Sequence, residues 1–122
     1  IINCVVDEKF GDALKEAEEV DKFIASGAMS VEEMATKKPF LGLPISTKDC
    51  ISVKGLLNTG GLYHRRNLRA TNDATAIAKM RQAGAIPFCL TNISELCMWY
   101  ESNNTIHGES LLKNLCKLRL SQ

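Results

Sequence analysis

The chain has 122 residues, 45% hydrophobic and 24% charged, with eight glycines and three prolines. This globular composition excludes collagen-like, low-complexity and wholly disordered chains. The net charge of +1 hides a division, with nine acids and three bases in residues 1–36 and five acids and twelve bases in residues 37–122.

Ile1 to Val6 reads as a short extended segment. Phe10, Ala13, Leu14, Ala17, Val20 and Ile24 then recur near the helical period, with Lys15, Glu16, Glu18, Glu19 and Lys22 on the other face. This pattern predicts a helix over 8–26, stopped by Gly27. Ser30-Val31-Glu32-Glu33 is a capping box for a second, short helix that ends before Pro39. A strand is expected at 43–50. Ile45, Thr47, Asp49, Ile51 and Val53 fall on one face, and Ser46, Lys48, Cys50 and Ser52 on the other. Residues 55–72 read as loop.

A third helix at 73–84 is expected, capped by Asn72 or Asp73 and striped by Ala76, Ile77, Met80 and Ala83. Ala85 to Leu90 reads as a buried strand at 86–90. Asn92-x-x-Glu95 reads as the cap of a helix at 93–99. Leu111, Leu112, Leu115 and Leu118, with Lys113, Lys117 and Arg119 beside them, suggest a basic amphipathic helix at about 110–120. The order predicts an α/β fold, a partial parallel or mixed sheet with flanking helices, because a helix between two strands requires a crossover.

The chain contains no G-x-S-x-G, P-loop or G-x-G-x-x-G. His64 and His107 stand alone in sequence, and no metal or cofactor is expected. Five cysteines, at 4, 50, 89, 97 and 116, lack C-x-x-C spacing and read as reduced thiols; Cys97, beside Met98 and Trp99, reads as a packing residue. Arg65, Arg66 and Arg69 cluster beside Tyr63 and His64, either as a solvated loop or as a phosphate-binding patch. No Lys/Arg-rich helix or aromatic series accompanies them, so no nucleic-acid partner is expected, although a small basic nucleic-acid or membrane-surface module stays an alternative. Lys48 has two readings. It is an edge-strand lysine, or a desolvated amine that serves as a base for a hydroxyl nucleophile.

Residues 39–49, Pro-Phe-Leu-Gly-Leu-Pro-Ile-Ser-Thr-Lys-Asp, resemble the lysine motif of the amidase signature family. Asn72-Asp73-Ala74-Thr75, Ala83-Gly84-Ala85-Ile86-Pro87 and Thr91-Asn92-Ile93-Ser94-Glu95-Leu96 follow in that family's order and spacing. Ser94 to Ser102 is similar to the fatty-acid amide hydrolase branch. The resemblance spans about residues 2–110 and implies amide hydrolysis by a Ser–cis-Ser–Lys triad, with Lys48 as base. It also implies a small amide substrate, with Met98 and Trp99 as contacts to its acyl chain.

The family's serines lie in and after a Gly-Gly-Ser-Ser segment. This sequence has no Gly-Gly-Ser; its one Gly-Gly, at 60–61, precedes Leu62. Past Ser110 the family pattern ends. The expectation is therefore an N-terminal part of an amidase domain at 1–110 with a divergent tail at 111–122, inactive alone. A non-catalytic product with a binding role is the alternative. No apolar run reaches the roughly 18 residues of a transmembrane helix and no signal peptide opens the sequence, so a cytoplasmic or membrane-associated intracellular location is expected.

Overall fold

The computed structural model describes residues 2–110. The helix expected at 110–120 lies outside them. A three-stranded mixed sheet forms the centre, in the order β1 (Val5–Glu8), β3 (Ile86–Thr91), β2 (Pro44–Lys48). β3 runs parallel to β2 and antiparallel to β1. The parallel pairing agrees with the crossover inferred from the sequence, and the opening extended segment is the antiparallel edge.

Pro87 lies inside this central strand although it has no N–H to give a ladder. Two features accommodate it. The β2–β3 register shifts between Ile45 and Ser46, opposite Pro87, and β1 pairs only with residues 89–91.

α1 (Phe10–Ala25) lies within the predicted helix and packs on β3, where the Phe10 and Phe88 rings are 5.8 Å apart. α2 (Val31–Lys37) begins at the expected capping box. Ser30 Oγ accepts from Glu33 N at 3.2 Å, and Glu33 Oε2 accepts from Ser30 N at 3.3 Å. α3 (Thr75–Gln82) packs on β3, and Arg81 reaches Glu16 of α1 at 2.7 Å. Val53, Leu56, Ile77 and Leu90 make the core beneath the sheet, each buried side chain contributing about 1.5–3 kcal/mol.

Two expected caps take other roles. α3 is capped by Ala74, without a side-chain bond. Asp73 instead accepts from Lys54 N at 2.7 Å and pairs with Arg81 Nε at 3.0 Å, so it ties the loop to the helix. The helix expected at 93–99 is a single 3-10 turn, Glu95–Cys97, capped by Ser94. Leu96 and Cys97 have φ of 52° and 59°, which breaks helical continuation, and the Asn92 side chain is engaged elsewhere.

A close approach fixes Gly84 beyond α3. Its φ is +100°, and a Cβ there would lie 2.6 Å from Leu41 Cα. The Leu41 segment is clamped against it by Phe40 N to Ala83 O at 2.9 Å and Gly42 N to Gly84 O at 3.0 Å.

Candidate active site

β2 and β3 end side by side, with Lys48 opposite Thr91. The loops that leave these carboxyl ends meet above the sheet, the place where open α/β sheets bind ligands. Along β2 the side chains alternate. Thr47 and Asp49 are buried and Lys48 between them is exposed. The alternation seen in the sequence therefore decides which residue reaches the surface.

The Lys48 amine is held at two points. Nζ donates to Asn92 O at 3.1 Å and to Ser102 Oγ at 3.3 Å. Asn92, 1% exposed, organises the wall around it. Its Nδ2 lies 3.1 Å from Ser102 O, 2.9 Å from Gly108 O and 3.1 Å from Ser110 Oγ. Its Oδ1 accepts from Asn104 Nδ2 at 2.7 Å and from Ile93 N at 3.0 Å. One side chain thus anchors the hairpin of β4 (Asn103–Asn104) and β5 (Gly108–Glu109) beside the lysine.

Behind Lys48, Asp49 is fully buried. Its carboxylate accepts from Thr59 N at 2.8 Å and from Thr59 Oγ1, which in turn accepts from Gly61 N at 3.0 Å. His107 Nε2 stands 3.8 Å from the same carboxylate. His107 looked isolated in sequence; the hairpin brings it to Asp49 across 58 positions, and no local spacing announces that contact.

Two depressions flank the lysine. A cleft of about 360 Å³ is lined by Lys48, Asn92, Ser102 and Ser110 among others. A smaller one of about 180 Å³ lies between Lys48, Cys50, Cys97, Trp99 and Ser102. Trp99 therefore borders the lysine's surroundings, with its ring stacked on Tyr100 at 5.0 Å. Met98 is 79% exposed and does not line either depression. Cys97, expected as a packing residue, is exposed because the 3-10 turn lifts it off the core.

Ser102 and Asn92 are the site residues that sequence reasoning passed over. Asn92 was assigned to a helix cap, a use its pattern also fits.

The arginine cluster stays exposed, and two of its members find partners within the chain. Arg66 lies 4.6 Å over the Tyr63 ring, and Arg69 bonds Asp7 at 2.9 Å and Gly55 O at 2.8 Å. Among the described residues no helix is long and apolar enough to cross a membrane.

A family profile described as Amidase matches residues 1–111. Fatty-acid amide hydrolase 2 of Homo sapiens is 44% identical over 110 residues, covering 90% of this chain and 21% of that protein. Fatty-acid amide hydrolase 2-A of Danio rerio is 42% identical over 108 residues, covering 88% and 20%. A solved structure titled fatty acid amide hydrolase superposes with a TM-score of 0.77 at 23% identity, covering 89% of this chain and 18% of that one. The chain spans about a fifth of the length of the curated relatives it matches.

Proposed function

Because the chain belongs to the amidase family, we propose that Lys48 is the general base of a carboxylic-amide hydrolase that works through an acyl-enzyme. The observation that carries this reading is the fixed amine, bonded to Asn92 O and Ser102 Oγ at the edge of an open cleft. An ammonium has three N–H donors, and these two acceptors orient it without enclosing it. A neutral amine so placed takes a proton from a hydroxyl brought within hydrogen-bond reach. The hydroxyl becomes the nucleophile, and the lysine returns the proton to the leaving amine.

By its resemblance to the family, the relay and the nucleophile are serines in and after a Gly-Gly-Ser-Ser segment, which this sequence does not contain. The polypeptide of these 122 residues alone therefore has a base and no matching nucleophile or oxyanion site. We expect it not to hydrolyse amides. The substrate class that fits is a small carboxylic amide with an apolar acyl part, for which Trp99 and, beside it, Met98 supply exposed apolar surface.

A hybrid enzyme tests the proposal. Residues 2–110 replace the matching segment of human fatty-acid amide hydrolase 2, and turnover of a long-chain fatty amide is followed by ammonia release. The hybrid is expected to be active, and its Lys48→Ala form to lose roughly 10²–10⁴ in turnover. Near-equal turnover by the two hybrids removes Lys48 from the mechanism. Turnover by the purified 122-residue polypeptide, lost in its Lys48→Ala form, overturns the expectation of inactivity.

A further inference from the structure

Two cysteines that the amide chemistry does not use meet beside Lys48. Cys50 follows Asp49 at the end of β2, and Cys97 closes the 3-10 turn. Gly60 joins the two segments. Its N–H donates to Asp49 O at 3.1 Å, and its carbonyl accepts from Leu96 N at 2.8 Å. The residue after each of these partners is a cysteine. A disulfide needs its two Cα atoms within about 7 Å, and here the Cys50 and Cys97 thiols are near enough to hydrogen-bond each other.

Both cysteines line the smaller cleft, both are exposed, and both are free thiols. The turn that presents Cys97 is firmly held despite its two left-handed residues. Cys97 N donates to Ser94 O at 3.0 Å and Met98 N to Glu95 O at 3.0 Å. Burial and the neighbouring Cys97 sulfur push the Cys50 thiol up.

We propose that Cys50 and Cys97 are a redox pair, joined as a reversible disulfide by hydrogen peroxide, that closes the small cleft beside Lys48. Burial leaves less Cys50 thiolate at any given pH, and the reaction starts with Cys97, exposed on its turn, meeting the oxidant. Its thiolate attacks one peroxide oxygen, the O–O bond breaks, and the departing hydroxide leaves as water with the proton Cys97 gave up. The product is a sulfenic acid on Cys97. The Cys50 sulfur then attacks the Cys97 sulfur, the S–O bond breaks, and hydroxide takes the Cys50 proton to leave as a second water. Two thiols have lost two electrons, and one peroxide has become two waters. A dithiol reverses the reaction. The bond ties the 3-10 turn to the end of β2 and draws the Trp99 segment over the lysine's flank.

Peptide mapping of the folded 122-residue protein after treatment with equimolar hydrogen peroxide tests this. Trypsin alone leaves Cys89 and Cys97 on one peptide, so a glutamate-specific protease is added to cut after Glu95. The expected product is a Cys50–Cys97 linked peptide that dithiothreitol separates and that neither Cys50→Ser nor Cys97→Ser yields. The same treatment in urea is expected to scatter the linkages over the other cysteines. Both serine variants alter exposed side chains, and their circular dichroism is compared with the parent. A native map matching the urea map overturns the proposal. So does oxidation of Cys97 to the sulfinic acid with no linked peptide, or a dominant bond from Cys97 to Cys4, Cys89 or Cys116.

Discussion

The amine of Lys48 and the main-chain carbonyl of Asn92 are joined by a 3.1 Å hydrogen bond between the carboxyl ends of two parallel strands. The lysine is therefore positioned by the backbone of a residue whose side chain positions everything else nearby. Replacing Asn92 by alanine keeps that carbonyl but leaves Asn104 Nδ2 with one acceptor fewer and strips a donor from Ser102 O, Gly108 O and Ser110 Oγ. Unsatisfied buried groups cost about 1–3 kcal/mol each, and the hairpin can relax to recover part of this. Asn92→Ala is expected to lower stability by about 2–4 kcal/mol, read from the urea midpoint at constant slope.

Lys48→Ala should behave in the opposite way. Lys48 is exposed and only its bond to Asn92 O is partly buried, so the stability change is expected to stay at about 1 kcal/mol. Thermal unfolding of the variant beside the parent measures it. A small change here, with the large loss of turnover expected in the hybrid, separates a chemical role from a structural one.

Gly61 and Gly27 offer a matched pair. Both have positive φ, +74° and +63°, so alanine is strained at each. At Gly27 a Cβ meets nothing within 4 Å, whereas at Gly61 it lies 2.9 Å from Glu95 Cα. Gly27→Ala is expected to cost about 1 kcal/mol and Gly61→Ala about 2–4 kcal/mol, because only the second also forces two backbones apart. Denaturant unfolding of both variants gives the difference directly.

Cys50 supplies a pH test. Its thiol is raised above the ordinary value of 9.0, first by burial and then by Cys97. Less thiolate is present at any given pH, so alkylation of Cys50 by iodoacetamide should need a higher pH than that of an ordinary thiol. Cys97→Ser removes the second cause and should move the labelling profile to lower pH. An unchanged profile in that variant shows that Cys97 does not contribute to the shift.

Local patterns made much of the fold readable. The α1 helix, the Ser30 capping box and the β2 alternation are each decided within a few residues and agree with the structure, although Phe10, Leu14 and Ile24 of the α1 stripe stay exposed. Lys48 was legible for the same reason, as an outward residue between two inward ones. Asn92 and Asp73 were misread because one polar side chain serves equally well as a cap or as a tie, and the choice rests on distant partners. For Asn92 these lie at 102–110, and for Asp73 at Lys54 and Arg81. The turn at 95–97 replaced a helix because the chain there must pass Gly60 and Gly61, an approach no hydrophobic period records.

The pairing of Val5 with Thr91 also sets a timetable for synthesis. Val5 leaves the ribosome 86 residues before its partner Thr91, a delay of roughly 4–17 s at about 5–20 residues per second. During that interval α1 can wind, but Phe10 has no Phe88 ring to pack on. Stalled nascent chains would therefore show amide protection at Val5–Glu8 only once Thr91 has cleared the exit tunnel. Of the three strands in this sheet, the first to be made waits for the last.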